Sequence, residues 1–543
     1  MTSVSNKGWR IAAVGSVAAV ALVLAGCASG GGNGGNNSSG KSIVIGTTDK
    51  VTLLDPAGSF DNGSLTVQTQ VFGTLMNSKP GTADVQPDLA SKAEFTDPNT
   101  YTVTLKPGLK FANGHKLTAS DVKFSFDRQQ KINDPNGPSY LLSDLDNTTI
   151  DGDTTVNFHL KAANDQVFPQ VLSTSAGAIV DEQVFGADKV TPDKDIVKAH
   201  AFDGQYDIDS YDFNNLITFK ANPNYKGLLG APKTSNVTQK YYTDASNLKL
   251  DVQEGNIDVA YRSLSATDLA SLRNDKKKVK VVDGPGGEMR YIVFNFNTMP
   301  YGATQSDADA AKALAVRQAA ADLIDRSEIA SQVYKNTYTP LYSFVPNGLT
   351  GATTVLKELY GDGKGGPDKA KATKALSDAG VTIPVTFNLQ YNTDHYGESS
   401  TDEYALVKSQ LEASGLFKVN LQSTEYTQYS PDRTKDVYPE YQLGWFPDYS
   451  DADDYLTPFY GADSFLVNHY SNSDVIALIQ KQASETDPAK RKSEIEDIQK
   501  LVGKDLPILP LLQGSQVAVT GTDISGTTLD GAFKFRFGTL VKG

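Results

Sequence analysis

Strand-like and helix-like stretches alternate along the body of this 543-residue chain, and that alternation restricts it to folds of the α/β class. Tyr101, Val103 and Leu105 alternate with polar residues after the turn Asp97-Pro98-Asn99, and Pro107-Gly108 ends that strand. Asn113-Gly114 is a hairpin signal, since both positions tolerate positive φ. Thr118 to Asp121 reads as a capping box opening a helix that buries Val122 and Phe126. Asp244 to Glu254 reads as a helix with Leu248 and Val252 on one face and Gly255 as its stop; Ile257 and Val259 then alternate as a strand. Further strands are expected at Tyr291 to Phe296, Pro384 to Tyr391 and Val419 to Tyr426. Helices are expected at Asp307 to Ile324, Asp402 to Ala413 and Asp474 to Val502. No internal repeat recurs at a fixed period.

The length exceeds the roughly 100–200 residues of one domain and implies two or three domains with a substantial core. The net charge of −14 and the lack of a basic block argue against nucleic acid or an anionic membrane surface as partner. With Cys27 the only cysteine, an intrachain disulfide or a multi-thiolate metal site is impossible. Two nucleotide-site patterns occur in the wrong context. Gly35 to Ser42 satisfies the phosphate-loop spacing, but it follows a Gly/Asn/Ser stretch and precedes β-rich Ile43-Val44-Ile45, where a strand and a helix are required. Gly361-x-Gly363-x-x-Gly366 lies in a loop with no strand before it. The five histidines are scattered and form no zinc motif, Asp451-x-Asp453-x-Tyr455 lacks the remaining ligands of a calcium loop, and GxSxG is absent. The sequence therefore implies no enzyme, no metal and no cofactor.

At the amino terminus, Lys7 and Arg10 precede sixteen uncharged residues, Ile11 to Gly26, too few for the ~20-residue helix that spans a bilayer and matching an export signal. Leu24-Ala25-Gly26-Cys27 resembles the bacterial lipobox, which implies cleavage after residue 26 and a lipid on the Cys27 sulfur. Residues 27–40, nearly all Gly, Asn and Ser after Cys27, read as a flexible tether with a reach of about 20 Å.

Five blocks in the remaining chain carry a further resemblance. They are Gly114-His115-Lys116-Leu117-Thr118-Ala119-Ser120-Asp121-Val122, Asn222-Pro223-Asn224-Tyr225-Lys226-Gly227, Leu248 to Val259, Phe294-Asn295 through Val316-Arg317-Gln318-Ala319 to Ile324-Asp325-Arg326, and Gly444 to Asp451. In this order they resemble the family 5 extracytoplasmic solute-binding proteins of ABC importers, a group that includes dipeptide and oligopeptide binders. The resemblance implies a two-lobed periplasmic-binding-protein-like fold of type II, with an extra subdomain in the first lobe. It places lobe I at 41–287 and 516–543, with the subdomain at about 73–200, and lobe II at 288–515. It implies a monomer that holds a peptide between its lobes and delivers it to a permease with ATPase subunits; with the lipobox, this places it at the extracytoplasmic face of the cell membrane, held by its lipid. Three departures are Gln205, Lys226 and Gln442, the last standing where some peptide binders have an arginine for the ligand carboxylate. Other solutes for the same fold are a nickel complex, haem or a sugar, and peptide sensing without transport is a further alternative.

A peptide offers an ammonium, amide groups and a carboxylate, and a receptor for mixed peptides fixes these while leaving side chains in roomy pockets. By resemblance Asp448 holds the ligand amino group, and Gly444 and Phe446 pair with its backbone. Trp445 offers an aromatic wall, while Phe60 and Asp61, after Leu54-Asp55-Pro56, are expected to line the site from the other lobe.

Overall fold

The computed structural model describes residues 42–393, 395–397, 399–530 and 534–543, so the export signal, Cys27 and the tether lie outside the described residues. Two large sheets organise the fold. The first has seven strands in the spatial order Val279–Gly284, Gln516–Gly521, Val259–Tyr261, Ile43–Thr47, Asn236–Tyr241, Leu216–Ala221 and Tyr206–Asp212. Ile43–Thr47 runs parallel to both of its neighbours. The second has six, in the order Tyr338–Pro340, Ile508–Gly514, Met289–Phe294, Glu440–Trp445, Val385–Tyr391 and Phe417–Ser423. Its central strands Met289–Phe294 and Ile508–Gly514 are buried at every position, as expected of strands covered on both faces.

The chain passes from the first sheet to the second between Gly284 and Met289 and returns through Ser515. These two crossings touch. A Cβ on Gly286 would fall 1.9 Å from the Gly514 carbonyl oxygen, and Gln513 Nε2 donates to the Gly286 carbonyl at 2.6 Å. Only glycine lets the backbones approach so closely.

A third, four-stranded antiparallel sheet of Ala90–Asp97, Thr100–Leu105, Thr155–Leu160 and Leu145–Asp151 has its own core, in which Val103, Phe126, Val156 and Phe158 are fully buried. Each such side chain contributes about 1.5–3 kcal/mol by leaving water. The helix Ala119–Ile132 covers this sheet and opens with the capping box of Thr118 and Asp121. Its Arg128 reaches Asp55 at 2.5 and 2.9 Å in a buried bidentate pair, fastening the Leu54-Asp55-Pro56 segment. The arginines of the fourth sequence block also act on backbone, Arg317 donating to the Asp505 carbonyl and Arg326 to that of Pro510.

Most elements read from periodicity are present with shifted ends. Asp244 caps Ala245–Glu254 and Gly255 ends it at φ +76°. The strand expected to run to Tyr426 stops at Ser423, and Tyr426–Arg433 is helical. The long helix expected from Asp474 to Val502 is two helices, Ser473–Ser484 and Pro488–Asp505. Asp487 caps the second through its side chain and Pro488 takes the first turn, where its missing N–H costs nothing. No helix among the described residues is long and apolar enough to cross a membrane.

Candidate functional site

Glu440–Trp445 runs antiparallel to Met289–Phe294, with Gly444 opposite Arg290. On its other edge Val385–Tyr391 pairs with it only at Glu440 and Tyr441, so the ladder on that side ends before Gly444. Beyond Trp445 the chain enters the wall of a cavity, contributing Phe446 to Ser450. The helix Asn62–Val71 supplies another wall with Asn62, Leu65, Thr66 and Thr69, a spacing that puts all four on one helical face. The rest of the lining is largely hydroxyl and amide, and its three charged residues are Arg262, Asp448 and Lys534.

Asp448 is held by both of its neighbours in the fold. Its Oδ2 accepts a hydrogen bond from the Tyr140 hydroxyl at 2.8 Å, and its backbone N–H donates to Asp454 Oδ2 at 3.1 Å. The same Asp454 oxygen accepts from Trp445 Nε1 at 3.0 Å, while Asp454 Oδ1 has no hydrogen-bond partner among the described residues. Burial pushes the Asp448 carboxyl up to about 6, with the Tyr140 hydrogen bond opposing the rise. Asp454, wholly buried, is raised well above the carboxylate range, by burial first and then by the charge of Asp448. Of the two neighbouring carboxyls, the wholly buried Asp454 is the harder to ionise and Asp448 the readier to carry the negative charge.

The structure brings some of the expected site residues together and sends others elsewhere. Phe60, Phe446 and Asp448 all line the cavity. The Phe60 ring meets Tyr140 edge-on at 6.0 Å, and the Arg262 guanidinium lies over Phe446 at 5.8 Å. Trp445 is not in the lining: its ring packs against Phe459 and Phe465 at 5.2 and 5.3 Å, and its N–H anchors Asp454. Gly444 also lies outside the lining, and its missing side chain makes room for Tyr396, whose ring carbon would be 2.9 Å from a Cβ there. Asp61 corrects the reading of it as a lining residue. Its Oδ1 caps the helix through the Ser64 N–H at 2.9 Å and its Oδ2 accepts from the Thr52 hydroxyl.

The acidic run after Asp448 is likewise committed to protein partners. Asp451 pairs with Arg491 at 2.7 and 2.9 Å, and Asp453 accepts from Thr457, Tyr449 and Gln482. Among the described residues no group of three or more His, Cys, Asp or Glu side chains is arranged to hold a metal. Tyr140, Arg262 and Lys534 carried no sequence signal. Asp454 was visible only as one of several adjacent acids.

Two sheets joined by two crossings, an added antiparallel sheet, and a cavity lined from both large sheets' connections define the type II periplasmic-binding-protein class. Residues 84–465 match the profile of the bacterial extracellular solute-binding proteins, family 5 Middle, and the chain belongs to that family. It is thus a substrate-binding protein of the ABC-importer kind and not an enzyme. Among its relatives, the periplasmic oligopeptide-binding protein OppA of Salmonella typhimurium is 24% identical over 542 residues, covering 94% of each chain. The dipeptide-binding protein DppE of Bacillus subtilis is 23% identical over 514 residues, covering 90% of each. The crystal structure of the ABC transporter substrate-binding protein CtaP from Listeria monocytogenes superposes with a TM-score of 0.77 at 23% identity, covering 93% of this chain and all of the other.

Proposed function

We propose that this protein captures oligopeptides at the extracytoplasmic face, tethered by a lipid on Cys27, and delivers them to an ABC permease driven by its ATPase subunits. Asp448 is the observation that carries the reading. It is a carboxylate lining a mostly neutral cavity, and among the described residues its side chain's partner is a tyrosine hydroxyl and no cation. A peptide ammonium supplies the missing charge. Phe60 and Phe446 then flank the first residues of the ligand. The peptide-binding relatives OppA and DppE support this assignment.

The same reading divides the chain into lobe I at 41–287 and 516–543, with an inserted subdomain at about 73–200, and lobe II at 288–515. The two crossings act as its hinge, and a ligand that touches both lobes favours the closed form by its differential affinity for it. Native mass spectrometry of the purified protein offered a peptide mixture is expected to show added masses matching peptides, with a smaller radius of gyration by X-ray scattering. Ligand masses that are sugars, haem or metal complexes would contradict the reading.

The elevated Asp448 carboxyl adds a pH signature. Ammonium capture needs the ionised acid, so affinity is full above pH 6 and falls as pH drops through about 6, approaching a tenfold loss per unit below it. Calorimetric titration from pH 8 to 4.5 checks this. Affinity that holds level down to pH 5 would mean that an ordinary exposed carboxylate, or none, meets the ligand.

A further inference from the structure

Lys534 is a second unanswered charge in the same cavity. Its ammonium donates to the Ser173 carbonyl at 2.7 Å and, among the described residues, makes no ion pair. The two carboxylates that act on it are engaged elsewhere. Asp530 faces the Arg536 guanidinium at 3.4 Å and accepts the Lys534 backbone N–H, while Asp88 accepts from Asn77, Tyr225 and the Leu228 N–H. Arg262, the other cation of the lining, pairs with Asp49 at 3.2 Å. Burial first, and then the charge of Arg536, press the Lys534 ammonium down to about 8. A half-buried cation on a cavity wall, answered by one carbonyl, gains from an anion that enters with the ligand.

We propose that Lys534 binds a carboxylate of the ligand, so that the cavity reads two opposite charges, an ammonium at Asp448 and a carboxylate at Lys534. This rests on the peptide reading above and narrows it to peptides with an anionic group within reach of Lys534. The carboxylate is either the peptide's own terminus or an Asp or Glu side chain, and each leaves a different trace. A terminal carboxylate makes Lys534 a selector of peptide length; a side-chain carboxylate makes it a selector of sequence.

Calorimetry with alanine peptides of two to five residues, each as free acid and as C-terminal amide, tests this. Amides carrying one Asp or one Asn complete the set. For at least one length, amidation is expected to weaken binding on the order of thirty-fold or more. That loss should shrink to less than about threefold in Lys534→Met and persist in Lys534→Arg, which keeps the charge. If amidation is harmless but Asp binds thirty-fold better than Asn in the wild type, the carboxylate is a side chain and the proposal stands in that form. Indifference of the wild type to both changes overturns it, and this arm needs no variant to fold. So does an equal loss in the wild type and Lys534→Met. N-acetylation of the same peptides separates the two readings: sensitivity to acetylation with indifference to both carboxylate changes leaves peptide capture in place and removes only the role of Lys534. Failure of every peptide to bind removes both.

Discussion

Asp448→Asn is expected to weaken peptide binding by about 2–5 kcal/mol, on the order of thirty-fold to several thousand-fold. The substitution keeps the size of the side chain, and the amide oxygen can still accept from the Tyr140 hydroxyl, so the fold around it is retained. What is lost is the charge. In water the attraction between two unit charges in contact is weak, and it grows several-fold at the lower effective dielectric of a protein cavity. The ligand ammonium gives up hydration to enter and recovers it only through a close, hydrogen-bonded partner. Acetylating the peptide amine removes the same contact from the other side and should cost a similar factor in the unmodified protein. Asp454 sharpens the expectation, because its wholly buried carboxyl fixes the Asp448 backbone N–H and is harder to ionise than that of Asp448. Removing the Asp448 charge therefore removes the anion that meets the ligand.

The other large effect is expected at Cys27. Cys27→Ala should move the protein from the membrane fraction to the soluble fraction, or leave a precursor that retains residues 1–26. The argument is the sequence Leu24-Ala25-Gly26-Cys27 after an uncharged stretch, followed by a tether with little to bury. Acyl chains contribute about 0.8 kcal/mol per buried CH2, so one chain holds a protein only reversibly, whereas two anchor it stably. Losing them should remove essentially all membrane retention in detergent-free fractionation. Unchanged retention of Cys27→Ala would show that some other segment holds the chain at the membrane.

Local signals in the sequence were legible where the physics is local. The Thr118–Asp121 box and the helix from Asp244 with its Gly255 stop each satisfy backbone groups within a few residues. The split at Asp487-Pro488 was missed because apolar residues at helical spacing continue on both sides, although a capping acid before proline is itself a helix-start signal. Sheet order was not legible, since Ile43–Thr47 pairs with Asn236–Tyr241 across nearly two hundred residues and no local feature encodes that register. The site divides in the same way. Asp448 and Phe446 belong to a contiguous block, and both line the cavity. Tyr140 lies three hundred and eight residues from Asp448 and reaches it only through the folded chain. Trp445 and Gly444 were in the right block, but alternation along the strand and the approach of Tyr396 turn them to packing. Asp61 was in the right segment, and the unmet N–H groups of the helix it precedes claim its carboxylate.

The central claim, that Asp448 meets the free amino terminus of a peptide, is tested most directly by calorimetry on four combinations: unmodified protein and Asp448→Asn, each with a free and an N-acetylated peptide. Both changes delete one contact, so the acetylated peptide should lose little further affinity in the variant, and the two losses should be strongly non-additive. Fully additive losses, or an acetylated peptide that binds the unmodified protein as well as the free one, would place the ammonium elsewhere and leave Asp448 a structural carboxylate.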